Sequence, residues 1–179
     1  MKTYFLSALL VCVAFVVSLT AQSALTDPIP FDPSVKSGVL PNGLKYFIKK
    51  NSKPEKRCEL RLALNAGSNF ENDDQQGLAH FVEHMCFNGT KNFKKSALID
   101  FLESAGVKFG AHLNAYTSFD ETVYMLQLPT DKDEIFQKGF QVLEDWAHNV
   151  TFDPEEIEKE RGVVISERRG RLGDRKSVV

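Results

Sequence analysis

Residues 107–129 read VKFGAHLNAYTSFDETVYMLQLP, and this stretch decides the fold class. Apolar and polar side chains alternate through 107–115, which predicts a strand with one buried face. A second apolar run of β type covers 122–128, and Pro129 ends it. The segment between the two runs, 117–121, is short, so the pair is predicted to form an antiparallel hairpin.

Two further strands are predicted before this hairpin. Residues 58–65 alternate between apolar and polar side chains, so one face of the strand is apolar and the other is partly exposed to water. A shorter alternating strand through Tyr46 and Ile48 follows a Pro-Asn-Gly turn at residues 41–43.

Four helices are predicted between and after these strands. Apolar residues recur at three-to-four spacing in 77–87, in 96–105 before a terminating Gly106, and in 135–147, where Asp131 and Glu134 are expected to form the cap. The last helix has the clearest start signal. It has Asp153 as N-cap, Pro154 at its first position and Glu156 at its third, and it runs toward Arg168.

Hairpin strands interleaved with helices predict an α+β fold: a mostly antiparallel sheet with helices packed on one face. The composition agrees with a globular chain, since 42% of the residues are hydrophobic. There are 22 basic and 24 acidic side chains, so the formal net charge is -2, and this argues against nucleic acid as a partner.

The amino-terminal residues have the pattern of a secretory signal peptide. Lys2 precedes a nearly continuous apolar run, and small residues surround Ser23, so residues 1–23 are expected to be a cleaved leader. Residues 24–37 contain three Pro and are expected to be an extended linker. The apolar run is short for a bilayer span of roughly 20 residues, so no stable span is expected after cleavage, with a retained anchor as the alternative.

Two cysteines, Cys58 and Cys86, follow the leader. The sequence alone does not show whether they are close enough to pair, and we expect two buried free thiols.

Residues 80–84, His-Phe-Val-Glu-His, carry the strongest chemical signal. Positions four apart lie on one face of a helix, so His80 and His84 can present both imidazoles to one metal ion, with Glu83 beside them. Two neutral imidazoles suit zinc, and a third ligand is needed that leaves one position open for water. The other two histidines, His112 and His148, lack ligand spacing to this motif and are interpreted as structural.

A carboxylate on the last helix is the expected third ligand. Glu160 and Glu167 are seven residues apart, which is two helical turns, so both point the same way. Spacing alone leaves the choice between them open.

Several separated motifs together resemble the pitrilysin family of zinc metallopeptidases, the inverzincins, and in particular its exported bacterial branch. The resemblance extends from about residue 38 to residue 172. Its motifs are GLAHFVEHM at 77–85, FNGT at 87–90, NAYTS at 114–118 and ERGVVISE at 160–167.

The resemblance implies one Zn²⁺ held by His80, His84 and Glu167. It implies that Glu160 supports the site by orienting a ligand imidazole. Glu83 would then be the general base on a zinc-bound water, and the expected reaction is endopeptidase hydrolysis of peptides or unfolded segments.

The resemblance further implies that the strand around Asn114 and Ala115 offers its edge to the substrate backbone. Members of the family have a second homologous domain that closes on the peptide, so residues 38–172 are expected to be an incomplete first domain that is inactive alone. Residues 173–179 are expected to be a non-native tail, because the last six match read-through into a sequencing adapter.

Export to the periplasm is expected, with an extracellular or membrane-anchored location as the alternative. A non-catalytic subunit of the same fold is the alternative function.

Overall fold

The computed structural model describes residues 29–94, 97–108 and 110–174. The predicted leader and the last five residues of the predicted tail lie outside these ranges. The chain divides into two compact units, Met1–Ser52 and Lys53–Val179, and each is described by itself.

The described residues of the first unit form an antiparallel hairpin. Its strands are β1, Val35–Val39, and β2, Lys45–Lys49, and Val35 is paired with Lys49. The Pro-Asn-Gly turn joins them, and Gly43 adopts a left-handed conformation at φ +86°. β1 therefore occupies the last three residues of the segment expected to be a linker.

The second unit is built on a three-stranded antiparallel sheet in the order β3-β5-β4. The predicted strand at 58–65 and the predicted hairpin are confirmed. The strands are β3, Arg57–Leu64; β4, Leu113–Thr117; and β5, Thr122–Pro129.

The expected start of the hairpin's first strand was wrong. β4 begins at Leu113, not at Val107, because the chain turns before it. Gly110 has φ +81°, which a β-strand does not accommodate, and the His112 N–H donates to the Lys108 carbonyl at 2.9 Å. Phe109, which the alternation also placed in the strand, lies outside the described residues.

The four predicted helices are confirmed: α1, Leu78–Met85; α2, Ala97–Ser104; α3, Asp133–His148; and α4, Pro154–Asp174. Asp153 caps α4 as expected, since its Oδ1 accepts the Glu155 N–H at 2.9 Å. The expected cap of α3 was wrong: the N-cap residue is Lys132, which makes no side-chain cap bond. Among the described helices, none is long and apolar enough to cross a membrane.

One apolar core holds α1, α2 and α3 against one face of this sheet, and α4 packs against α1, which confirms the predicted α+β architecture. Alternate residues of β5, among them Leu126 and Leu128, are fully buried in it. The helices contribute Cys86 after α1, Leu98 and Leu102 of α2, and Val142 and Trp146 of α3. Packing of this kind fixes the position of α1, on which the histidine motif lies.

Candidate metal centre

A carboxylate from the preceding loop fixes the start of α1. Gly77, the N-cap residue, has φ +95°, a left-handed conformation that favours glycine. The two oxygens of Glu71 accept the backbone N–H groups of Gly77 and Ala79, each at 2.7 Å. Negative charge at a helix N-terminus is favourable, so Glu71 both caps and orients the helix that carries His80 and His84.

Three potential ligand atoms converge beside α1. The Nε2 atoms of His80 and His84 are 3.2 Å apart, and their rings are nearly perpendicular. Oε2 of Glu167 lies 3.6 Å from the first Nε2 and 3.7 Å from the second. The structure therefore brings together the two histidines and one of the two candidate carboxylates of α4.

The donor set fits a zinc ion. Zinc binds histidine nitrogen and carboxylate oxygen at about 2.0–2.2 Å, so tetrahedral ligand atoms are about 3.3–3.5 Å apart, close to the spacing of these three atoms. The Glu167 side chain is 39% exposed whereas that of His84 is 17% exposed, so the cluster is reached from the solvent on its carboxylate side. Three protein ligands with solvent access are typical of a catalytic rather than a structural zinc site.

Glu160 contacts the opposite side of the His84 ring. Its Oε1 is 2.6 Å from Nδ1, and its side chain is only 16% exposed. A hydrogen bond donated by Nδ1–H to this carboxylate places the imidazole lone pair on Nε2, the atom that faces His80 and Glu167. The geometry thus distinguishes the two glutamates, which sequence spacing left equivalent: Glu167 approaches the Nε2 atoms and Glu160 approaches Nδ1 of His84.

Glu83 is buried beside the cluster, with 8% of its surface exposed. Its Oε2 accepts a hydrogen bond of 2.6 Å from the Thr117 hydroxyl at the end of β4. The motif helix and the edge strand of the sheet therefore meet at this carboxylate.

β4 forms one edge of the sheet, and in the described part of the chain it pairs only with β5. The Ser118 N–H donates to the Glu121 carbonyl, so these two residues form a hydrogen-bonded pair of the ladder. Hydrogen-bonded and non-hydrogen-bonded pairs alternate along an antiparallel ladder. Ala115, three residues earlier, therefore belongs to a non-hydrogen-bonded pair and directs its N–H away from β5. That N–H donates instead to Oδ1 of Asn114 at 2.9 Å. The two residues expected to bind substrate therefore lie on the outer edge.

The remaining histidines lie outside the ligand cluster, and the expectation of two buried thiols holds for Cys86 only. His112 accepts a backbone N–H from Lys108, and neither it nor His148 belongs to the ligand cluster. Both cysteines are free, although Cys58 is only partly buried. Burial raises the pKa of the Cys86 thiol to about 11, despite a hydrogen bond to Tyr124 that lowers it.

Three residues of the site were not assigned a role from the sequence: Glu71, Asn88 and Thr117. Asn88 donates its side-chain N–H to Glu160 at 2.7 Å. Asn88 and Thr117 lie inside the FNGT and NAYTS motifs, so those motifs could have indicated them. Glu71 belongs to no motif used above, and its contact with α1 depends on how the loop folds back.

Comparison with known proteins identifies the family. Residues 46–172 match the family model for insulinase, peptidase family M16. The chain is 45% identical over 157 residues to the "Probable zinc protease PqqL" of Haemophilus influenzae, covering 84% of this chain and 17% of that protein. The Escherichia coli protein of the same name is 42% identical over 139 residues, covering 78% of this chain and 15% of that one.

A comparison with solved structures identifies the same relative. The crystal structure of the periplasmic protease PqqL from Escherichia coli superposes with a TM-score of 0.77 at 41% identity, covering 80% of this chain and 16% of that chain. The chain thus spans about one sixth of the length of the relatives it matches. The motif resemblance is confirmed, and the chain belongs to the insulinase family of peptidases, family M16.

Proposed function

We propose that this chain is the metal-binding part of an exported zinc metalloendopeptidase that hydrolyses peptides or unfolded segments. One observation carries the proposal: Nε2 of His80, Nε2 of His84 and Oε2 of Glu167 converge, and the buried Glu83 lies on the same helix as the two histidines. The zinc proteases among its relatives support this chemistry.

Zinc at this position would supply a water of lowered pKa and an electrophile for the substrate carbonyl. The protein's own contribution is the placement of Glu83. Its Oε2 accepts the Thr117 hydroxyl, so we assign to Oε1 the removal of a proton from the attacking water. The same oxygen then returns the proton to the departing amine of the peptide.

Substrate would bind along the outer edge of β4. Ala115 directs its N–H to that edge, and an added peptide strand would pair with it by accepting this hydrogen bond. In this structure the Asn114 side chain accepts the hydrogen bond from the Ala115 N–H. It would move aside when the peptide binds, and its amide would then contact the peptide backbone. The edge leads to Thr117 and hence to Glu83.

We extend the proposal to the full-length protein. The relatives are about six times as long as the matched segment, and one of them is described as a periplasmic protease. We therefore propose export to the periplasm, and a second homologous domain that closes over the bound peptide.

The test is the variant Glu83→Gln in the full-length protein. We expect one zinc per chain to be retained, because Glu83 is not a ligand, while hydrolysis of a quenched fluorescent peptide falls by about 10²–10⁴-fold. Glu103→Gln, an exposed glutamate on α2, is the matched control and should leave both values unchanged.

Two results would contradict the proposal. Full activity of Glu83→Gln would exclude Glu83 as the general base. A wild-type protein that binds no zinc and hydrolyses no peptide would favour a non-catalytic subunit instead.

A further inference from the structure

We propose that Asn88 is a positioning residue of the metal centre, acting on His84 through Glu160. The inference rests on the proposed zinc site but goes beyond it, since it concerns how that site is held.

The Glu160 carboxylate is bound from both sides. Oε1 is 2.6 Å from Nδ1 of His84, and Oε2 accepts the Asn88 Nδ2–H at 2.7 Å. A carboxylate held by one oxygen can still turn about its own axis. The second bond fixes its plane, and with it the direction in which Oε1 meets the imidazole.

The chemical type of the donor matters as well as its position. Asn88 donates from a neutral amide, so the bond orients Glu160 without compensating its charge. A lysine or arginine there would form an ion pair and weaken the attraction between Glu160 and the His84 ring. The full negative charge therefore remains available to the imidazole.

The loop that carries Asn88 is fixed to the segment that leads into α4. Thr90 forms a β-bridge with Val150, and both the N–H and the hydroxyl of Thr151 donate to the Gly89 carbonyl at 3.1 Å. Asn88 and Glu160 are thus presented to each other by two segments that are themselves hydrogen-bonded.

A buried carboxylate anchors this pairing from α3. Asp145 is fully buried and accepts hydrogen bonds from Thr90, from the backbone and side chain of Asn92, and from Asn149. Burial raises the pKa of Asp145, but these bonds outweigh burial and hold it below its ordinary value. Asp145 is therefore ionised, and its carboxylate accepts four hydrogen bonds, three from the loop at residues 90–92 and one from Asn149, which precedes the bridge residue Val150.

The test is a set of variants in the full-length protein, with the zinc dissociation constant measured by competition against a chelator. Asn88→Ala should raise this constant by up to about tenfold, the lower end of the effect of losing a direct partner of a ligand, because Asn88 acts on His84 only through Glu160. Asn88→Asp should raise it further, because two carboxylates would then face each other. Asn51→Ala, an exposed asparagine, is the control and should leave it unchanged.

A double variant separates positioning from general stability. In Glu160→Gln alone, two amides face each other. In the double variant Asn88→Asp with Glu160→Gln, the amide at position 160 would donate to the carboxylate at position 88, so the hydrogen bond is restored with donor and acceptor exchanged. We expect the double variant to bind zinc more tightly than Asn88→Asp alone, which a merely structural loss would not produce. The midpoint of thermal unfolding of the metal-free Asn88→Ala protein should stay close to that of the wild type.

The inference is overturned if Asn88→Ala binds zinc as tightly as the wild type, or if the double variant is no better than Asn88→Asp. If the wild-type protein binds zinc and is active, such a result removes only the role of Asn88. If the wild type binds no zinc, the proposed function fails first, and the inference fails with it.

Discussion

Thr117 places a single hydroxyl against the carboxylate that we assign as the general base. The bond to Glu83 is 2.6 Å, and the carboxylate is almost fully buried, so little water can replace this donor. A buried acceptor that loses its donor costs about 1–3 kcal/mol. Thr117 therefore influences where the Glu83 oxygens lie.

Thr117→Val keeps the side-chain shape and removes the hydroxyl. We expect kcat of the full-length protein to fall about tenfold, while KM and zinc content stay the same, because a displaced general base loses part of its roughly 10²–10⁴-fold contribution to the rate. Thr117→Ser should restore kcat, since the hydroxyl returns. Thr130→Val, an exposed threonine, is the control, and an unchanged kcat in Thr117→Val would show that Glu83 does not depend on this bond.

The sequence predicts part of this site and not the rest, for a physical reason. His80, Glu83 and His84 lie within one helical turn or so, and helix geometry alone brings them together. Glu160 and Glu167 belong to α4, which is distant in the sequence. They lie on the same face of that helix, so the sequence does not indicate which of them reaches Nε2 of the histidines. Only the packing of α1 against α4 distinguishes them.

At the scale of an element, α1 depends on a residue outside it. Glu71 lies six positions before Gly77, yet both of its oxygens accept N–H groups at the start of the helix. Helix start signals are normally sought within a few residues of the first turn, so the local pattern does not reveal this cap. The misplaced start of β4 has a similar origin, because alternation continued through Gly110 although its backbone turns there.

Glu71→Ala should weaken α1 specifically. The loss of two hydrogen bonds and of favourable charge at the helix N-terminus should reduce the free energy of opening of α1 by about 1–2 kcal/mol. Amide hydrogen exchange of residues in α1 measures this value directly. Asp73→Ala, in the adjacent 3₁₀ turn, should leave that exchange unchanged, and equal protection in Glu71→Ala and the wild type would refute the capping role.

At the scale of the whole molecule, the sequence predicts the fold class and the family, because periodicity and separated motifs agree. The near-neutral charge argues against nucleic acid as a partner but does not indicate a peptidase. The relatives show what composition could not: this chain corresponds to about one sixth of their length. On the proposed binding mode, the described residues would contact a peptide at the β4 edge on one side only.

The 179-residue chain alone should therefore be a poor enzyme. We expect its kcat/KM on a test peptide to be at least about 100-fold lower than that of the full-length protein at equal zinc content, because a peptide held on one side is badly oriented for attack. Parallel assays with metal analysis and circular dichroism measure this. Equal turnover by the two would show that the first part of the protein orients the substrate unaided.

The bond between Asn88 and Glu160 also bears on how the protein should be produced. Asn88-Gly89-Thr90 is an acceptor sequence for N-linked glycosylation, and a glycan would be attached to the Nδ2 atom that donates to Glu160. A sugar would replace one of the two hydrogens on that nitrogen and add a bulky group beside its contact with Glu160. Bacterial expression avoids this modification, whereas a eukaryotic secretory host could deliver a protein whose metal centre is already disturbed.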